Sequence, residues 1–327
     1  MDAYRAPWAL VLAAGEGNRL RSLTTDPLGN STPKQFCSLN GGESLLQLAL
    51  QRATRVAPWS KITTVVAVQH EEWWRGELDC MPRSNVVVQP CNRGTAVGAL
   101  LPLLRIVAVD PEACLVLLPS DHFVADERVL ERSLHLAMAE VDRRPDRLVL
   151  LGIVPDEPDT EFGWIVPAVT GGPGVHDVLR FVEKPEAAVA TELMGRGGVW
   201  NSFILAAKGK TLLELFDHKL PGLAATLQDA LARDMGAQQL TPTLTRTYEE
   251  LGSYDFCRDV LEGMENRLSV LPVPRCGWSD LGTPDRVVRC VERIPSVPRQ
   301  ANRPGVAAIV RPDLAQACLV MQSCPTS

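Results

Sequence analysis

Along the first half of the chain, short runs of Leu, Ile, Val and Ala alternate with longer segments in which apolar residues recur every three or four positions. The runs predict strands over residues 8–13, 62–68, 86–88, 114–118 and 148–153. The periodic segments predict helices over 44–56, 71–78, 95–109 and 127–143. Such alternation makes a parallel sheet with helices on both faces, and a nearly unbroken apolar run such as CLVLLP is what burial on both faces demands. Beyond residue 155 the order loosens. EFGWIVPAV and VLRFVEKP read as two strands joined through Gly171, Gly172, Pro173 and Gly174; WNSFILAA reads as a third, and RLSVLPVP as a fourth after helices that run through Glu262. From residue 294 five prolines (Pro295, Pro298, Pro304, Pro312 and Pro325) interrupt any period, so 1–293 is expected as one domain and 294–327 as a C-terminal tail.

A chain of 327 residues with 46% hydrophobic and 22% charged positions can bury a large core without metal or disulfides, which excludes disorder as its main state. The net charge of -6 argues against a general nucleic-acid binder but leaves room for a local anion site. Nine scattered cysteines without a C-x-x-C pair fit reduced thiols, and so a cytoplasmic protein; five dispersed histidines offer no zinc spacing. The apolar stretch 7–15 has only Arg5 as a basic residue before it and a glycine-rich charged loop after it, unlike a signal peptide. No run approaches the ~20 apolar residues of a membrane span, so neither nucleic acid nor membrane is expected as a partner.

The chemistry begins where the first strand runs into Gly15-Glu16-Gly17-Asn18-Arg19. Glycines leave backbone N–H groups open to an incoming phosphate; Arg19 adds a charged fork, and Lys34, in the following STPKQF, a compact charge. The spacing is not that of a P-loop, and Leu20 stands where the dinucleotide fingerprint would place its third glycine. Taken alone, the loop is equally a turn with solvated charges.

AAGEGNRL followed by PKQF resembles the signature of the sugar-1-phosphate nucleotidyltransferases, and the PKQF form is similar to that of the mannose-1-phosphate guanylyltransferases. QPCNRGTAVGA (89–99), LLPSDH (117–122), EFGWI (161–165), FVEKP (181–185), WNSFI (200–204) and WSDLGTP (278–284) then follow in that family's order. The resemblance implies a Rossmann-like, mostly parallel α/β sheet of the nucleotide-diphospho-sugar transferase type, with a smaller β-containing part for the sugar. It implies GTP and a hexose 1-phosphate, mannose 1-phosphate first, as substrates, with GDP-mannose and pyrophosphate as products and Mg2+ as cofactor. Ala14, Gly15, Gly17, Asn18, Arg19 and Lys34 would meet the nucleotide phosphates, and Pro90, Asn92, Arg93, Gly94 and Thr95 would lie near the base. Gly163, Glu183, Lys184 and Asn201 would meet the sugar phosphate, Asp121 and Asp280 the metal, and Arg19, Lys34, Asp121 and Lys184 would carry catalysis.

Each assignment has a plainer counterpart. Asp121 ends a buried strand, where a carboxylate either caps the next helix or holds a metal. Asp280 could cap the helix near Pro284, Thr95 the helix that follows it, and Glu183 and Lys184 could be a surface pair. His122 reads more as a polar neighbour of the site than as a general base. The chain departs from the family at Ala13 and Ala14, where many members have glycines, at Asn18, where they have threonine, and at the sugar end, where Phe203 stands for the usual glycine or alanine and Phe162 and Trp164 replace tyrosines. Those at the sugar end bear on the identity of the sugar more than on the reaction. A homodimer is compatible with the sequence, and the isomerase domain fused to some members of the family is not expected within these 327 residues.

Overall fold

The computed structural model describes residues 6–26, 28–170, 172, 174–233, 240–294 and 307–308. Its strands are β1 (Trp8–Ala13), β2 (Cys37–Ser38), β3 (Ile62–Ala67), β4 (Val86–Gln89), β5 (Cys114–Pro119), β6 (Leu148–Ile153), β7 (Trp164–Pro167), β8 (His176–Val182), β9 (Val199–Lys208), β10 (Leu268–Val273) and β11 (Ala307–Ala308). Nine of them form one sheet in the order β4-β3-β1-β5-β9-β6-β10-β8-β7. The five strands and four helices expected in the first half all form, with ends displaced by at most two residues.

Alternation along each central strand decides which face a residue serves. Trp8, Leu10, Leu115 and Leu117 join one core, beneath the helices Gly94–Val109, Gly209–Lys219, Leu223–Arg233 and Pro242–Glu250. Ala9, Val11, Ala13, Val116 and Leu118 join the opposite core, under Leu45–Thr54 and Glu127–Arg143. The helix Glu127–Arg143 starts where Asp126 accepts from the backbone N–H groups of Arg128 and Val129. Ser44 and Gln47 close a reciprocal capping box at the head of Leu45–Thr54.

β4, β3, β1 and β5 are parallel, as are β6 and β10. β9 runs antiparallel between β5 and β6, and β7 and β8 are antiparallel to each other. This reversal positions the site. The start of β9 lies at the carboxyl edge of β5 and β6, Trp164 at the start of β7 pairs with Trp200 of β9, and Val182 at the end of β8 pairs with Trp164. Segments from the far half of the chain therefore reach the edge where ligands of open α/β sheets bind.

Among the described residues, no helix is long and apolar enough to cross a membrane. Of the tail expected over 294–327, the described residues are Ile294 and Ala307–Ala308, which pair in parallel with Cys37–Ser38; the rest lies outside the described residues.

Candidate active site

A cleft of about 450 Å³ opens along the carboxyl edge of β1, β4 and β5. The loop after β1 forms one lip. Gln35 Nε2, fully buried, donates to the carbonyls of Ala13 (3.1 Å) and Gly15 (2.9 Å), which fixes the backbone just where the strand ends. Gly17 takes φ +64°, and a Cβ there would lie 2.9 Å from Lys34 N, so the loop needs glycine for both conformation and space.

Below the loop lies a chain of charges. Lys34 is 5% exposed, with Nζ 3.0 Å from Asp121 Oδ2, 2.5 Å from the carbonyl of Asp280 and 3.4 Å from that of Leu281. Asp280 Oδ1 accepts from Arg286 at 2.8 Å and from Gly282 N at 3.0 Å; its Oδ2 lies 3.9 Å from Arg19, which also reaches Glu161 at 3.3 Å. Arg286 also pairs with Asp159 and sits over the Phe162 ring at 4.3 Å. Reciprocal hydrogen bonds between the backbones of Phe123 and Ser279, 2.9 Å each, stitch the Asp121 and Asp280 turns together. Burial pushes the Asp121 carboxyl up, but Lys34, then His122, outweigh it and hold the group below the ordinary range. Burial holds His122 neutral, with its pKa down at about 4 against the upward pull of Asp121.

At the other end, Gly163, Glu183 and Asn201 meet. A Cβ on Gly163 would fall 2.4 Å from Glu183 Oε2 and 3.3 Å from the Asn201 side chain. Burial, then the charge of Asp255, raises the Glu183 pKa to about 7. Lys184 is exposed at the cleft mouth with φ 48°. Asn201 is spent on the fold: Oδ1 accepts from Phe203 N at 3.1 Å and Nδ2 donates to Cys257 Sγ at 3.2 Å. Glu183, Asp255 and Cys257 bring possible ligand atoms within 4.8 Å of one another.

Ala14, Gly15, Gly17, Arg19, Asn92, Gly94, Thr95, Asp121, Gly163, Glu183, Lys184, Asn201 and Asp280 all line this one cleft; Asn18, Lys34 and Pro90 do not. Lys34 departs from the expectation of direct phosphate contact because its three donors already meet three oxygens behind the cleft wall. Arg93 turns away as well, donating to the carbonyls of Tyr248 (2.5 Å) and Glu249 (2.9 Å). Thr95 does not cap its own helix: its hydroxyl accepts from Phe256 N at 2.8 Å. Sequence reasoning missed the wall formed by Ser253, Tyr254, Asp255, Cys257 and Arg258, which carries neither period nor motif. Gly94 makes that wall possible, since at φ +82° a Cβ would meet the Tyr254 carbonyl at 2.2 Å. Gln89, 3% exposed in the cleft wall beside Gly98 and 3.4 Å from the Tyr248 hydroxyl, was also passed over, although it opens the QPCNRGTA match.

A half-parallel sheet that gathers a glycine loop, paired carboxylates and a second, antiparallel set of strands around one cleft is the nucleotide-diphospho-sugar transferase fold. A family model described as "Nucleotidyl transferase" matches residues 8–296, and the chain belongs to that family. The resemblance to sugar-1-phosphate nucleotidyltransferases holds among its relatives. It is 30% identical over 279 residues to the xanthan biosynthesis protein XanB of Xanthomonas campestris, covering 84% of this chain and 57% of that protein. It is 29% identical over 293 residues to the mannose-1-phosphate guanylyltransferase of Escherichia coli, covering 84% and 58%. The chain thus spans little more than half the length of these curated relatives. Among solved structures, one from Thermus thermophilus described as a mannose-1-phosphate geranyltransferase superposes with a TM-score of 0.71 at 29% identity, covering 85% of this chain and 77% of that one.

Proposed function

We propose that the protein joins GTP and mannose 1-phosphate to give GDP-mannose and pyrophosphate. The observation that carries this reading is the convergence on one cleft of an anion-ready loop with Arg19 at one end and the Gly163, Glu183 and Lys184 group at the other. A phosphate oxygen of the sugar attacks the α-phosphorus of the nucleotide in line, and pyrophosphate leaves opposite, so catalysis rests on positioning and charge stabilisation. The backbone of Gly15 to Gly17 and the Arg19 guanidinium receive the triphosphate and the departing pyrophosphate. Lys184 holds the sugar phosphate, and Glu183 meets hexose hydroxyls. Lys34 holds Asp121 and the Asp280 turn in place.

The carboxylates fit a hard cation shared with substrate phosphates. Asp121 keeps Oδ1 clear of Lys34 with 39% of its side chain exposed to the cleft, and Asp280 Oδ2, with Oδ1 taken by Arg286, has Arg19 at the longer distance of 3.9 Å. These two oxygens would hold Mg2+, whose chemistry here is to neutralise phosphate oxygens.

Pyrophosphate release, measured over four nucleoside triphosphates and several hexose 1-phosphates with Mg2+, tests the reading. GTP with mannose 1-phosphate should give the highest kcat/KM. A higher value for UTP or dTTP with glucose 1-phosphate would reassign the substrates within the same chemistry, and full activity in excess chelator would remove the metal.

A further inference from the structure

Three non-glycine residues among those described have positive φ: Lys184 (48°), Phe203 (60°) and Leu281 (50°). Lys184 and Leu281 lie in turns. Phe203 lies inside a ten-residue strand, where the β6–β9 register slips between Leu150↔Leu205 and Gly152↔Asn201. It is a bulge residue in the left-handed region, a position at which glycine is the unstrained choice. The bulge is held from both sides: Asn201 Oδ1 accepts from Phe203 N, and Ser202 Oγ accepts from Ile204 N while donating to the Leu151 carbonyl at 2.6 Å.

Glycine would carry this backbone without strain, so the ring is what a phenylalanine adds. Phe203 lines the cleft beside Asn201, and its ring meets Phe256 edge-on at 5.7 Å. Phe256 is fully buried, its ring packs against Phe216 at 5.8 Å and its N–H is tied to Thr95. The ring therefore closes the space between Asn201 and Phe256 with a rigid apolar wall. Strain retained at a ligand-facing residue, in a backbone its neighbours fully determine, marks a functional constraint.

We propose that Phe203 is the specificity residue of the sugar subsite, a steric gate that admits hexose 1-phosphates bearing hydroxyls and excludes those bearing an acetamido group. The gate rests on the reaction proposed above. A hexose that offers its hydroxyls to Glu183 meets the Phe203 wall; a hydroxyl fits there, whereas an acetamido group, larger by several heavy atoms and carrying an amide, finds neither room nor a polar partner.

The test compares kcat/KM for pyrophosphate release with mannose 1-phosphate, glucose 1-phosphate and N-acetylglucosamine 1-phosphate in wild type, Phe203→Gly, Phe203→Asn and Phe203→Leu. Glycine and asparagine both tolerate the left-handed backbone, so either one keeps the bulge without the ring. The wild type should prefer its best plain hexose over the acetamido sugar by at least tenfold; glycine and asparagine should narrow that ratio by roughly tenfold or more, and leucine should retain it. An unchanged ratio in the glycine and asparagine variants, or a wild type that takes both sugars equally, overturns the gate while leaving the reaction standing. Loss of all transfer in both variants, with circular dichroism showing them folded, also overturns it. Absence of release from the wild type with every substrate pair removes the reaction and the gate together.

Discussion

Lys34 Nζ lies 3.0 Å from Asp121 Oδ2, and the same ammonium donates to the Asp280 carbonyl, so one buried cation ties the turn after β5 to the turn after β10. Lys34→Met keeps the length of the side chain and removes its charge. The carboxylate and two carbonyls then lose their donor. Because Asp121 remains 39% exposed, the expected loss is below that of a fully buried pair, roughly 2–3 kcal/mol in urea unfolding. The loss of kcat/KM should be larger, about two to three orders of magnitude, because both carboxylate-bearing turns move. An unfolding midpoint equal to that of the wild type would show that the ammonium holds nothing.

Gly15 and Gly17 are two residues apart in one loop yet face different constraints. A Cβ on Gly15 meets nothing within 4 Å, whereas one on Gly17 meets Lys34 N at 2.9 Å and the backbone there has φ +64°. Gly15→Ala should therefore leave stability within about 0.5 kcal/mol while slowing transfer, since its methyl crowds the loop proposed to receive phosphate. Gly17→Ala should cost roughly 1–3 kcal/mol through the backbone and through displacement of Lys34. Equal losses of stability in the two variants would contradict the loop geometry.

Glu183 gives the protein a pH signature. Burial, followed by the nearby Asp255, lifts its pKa from 4.5 to about 7, so the folded state holds a proton that the unfolded chain releases earlier. Stability from this group is complete below about pH 4.5, declines as the pH rises towards 7, and is constant above that. Glu183→Gln carries no ionisable proton and should remove the slope. Its advantage over the wild type should be near zero at pH 4.5 and on the order of 1–3 kcal/mol at pH 8, read from urea midpoints at the two values. Parallel curves for the two proteins across that window would place the Glu183 pKa at its ordinary value.

How much of this was legible depended on what each residue must do locally. Buried strands announce themselves through unbroken apolar runs, whereas the glycine loop, Asp121, Gly163, Glu183 and Asp280 stand out through motifs that resemble those of the family. Direction is another matter. WNSFILAA is as apolar forwards as backwards, so nothing in it distinguishes the antiparallel course of β9, which brings Asn201 to the cleft. The inward turn of Lys34 depends on carbonyls 246 and 247 residues away, which no local spacing reveals. The 253–258 wall mixes polar and apolar residues without period and is held by backbone bonds to Arg93 and Ala96, so its place is set by packing against Gly94 and not by its own pattern. Phe203 has no turn propensity; only the hydrogen bonds of Asn201 and Ser202 put it in the left-handed region.

Arg286 links the two ends of the cleft. One arm of its guanidinium binds Asp280 Oδ1 at 2.8 Å, the other Asp159, and its plane lies over Phe162, the residue before Gly163. All three charged side chains are 11–12% exposed, so this cation stabilises both carboxylates alongside the backbone N–H groups of Glu161 and Gly282. Arg286→Lys offers a single point charge to two carboxylates that a planar fork now spans, and it loses the stacking on Phe162. Lysine should therefore cost about 1–2 kcal/mol and alanine about 3. If Arg286 couples the 154–163 segment to the Asp280 turn, alanine should also raise the KM for the sugar phosphate more than the KM for the nucleotide. A double-mutant cycle with Asp159→Asn isolates the link: removing Asp159 first should lower the cost of Arg286→Ala by about 1 kcal/mol or more. Strict additivity would mean that Arg286 serves Asp280 alone, leaving the Gly163 end of the cleft to be held by Gly163, Trp164 and their pairing with β9.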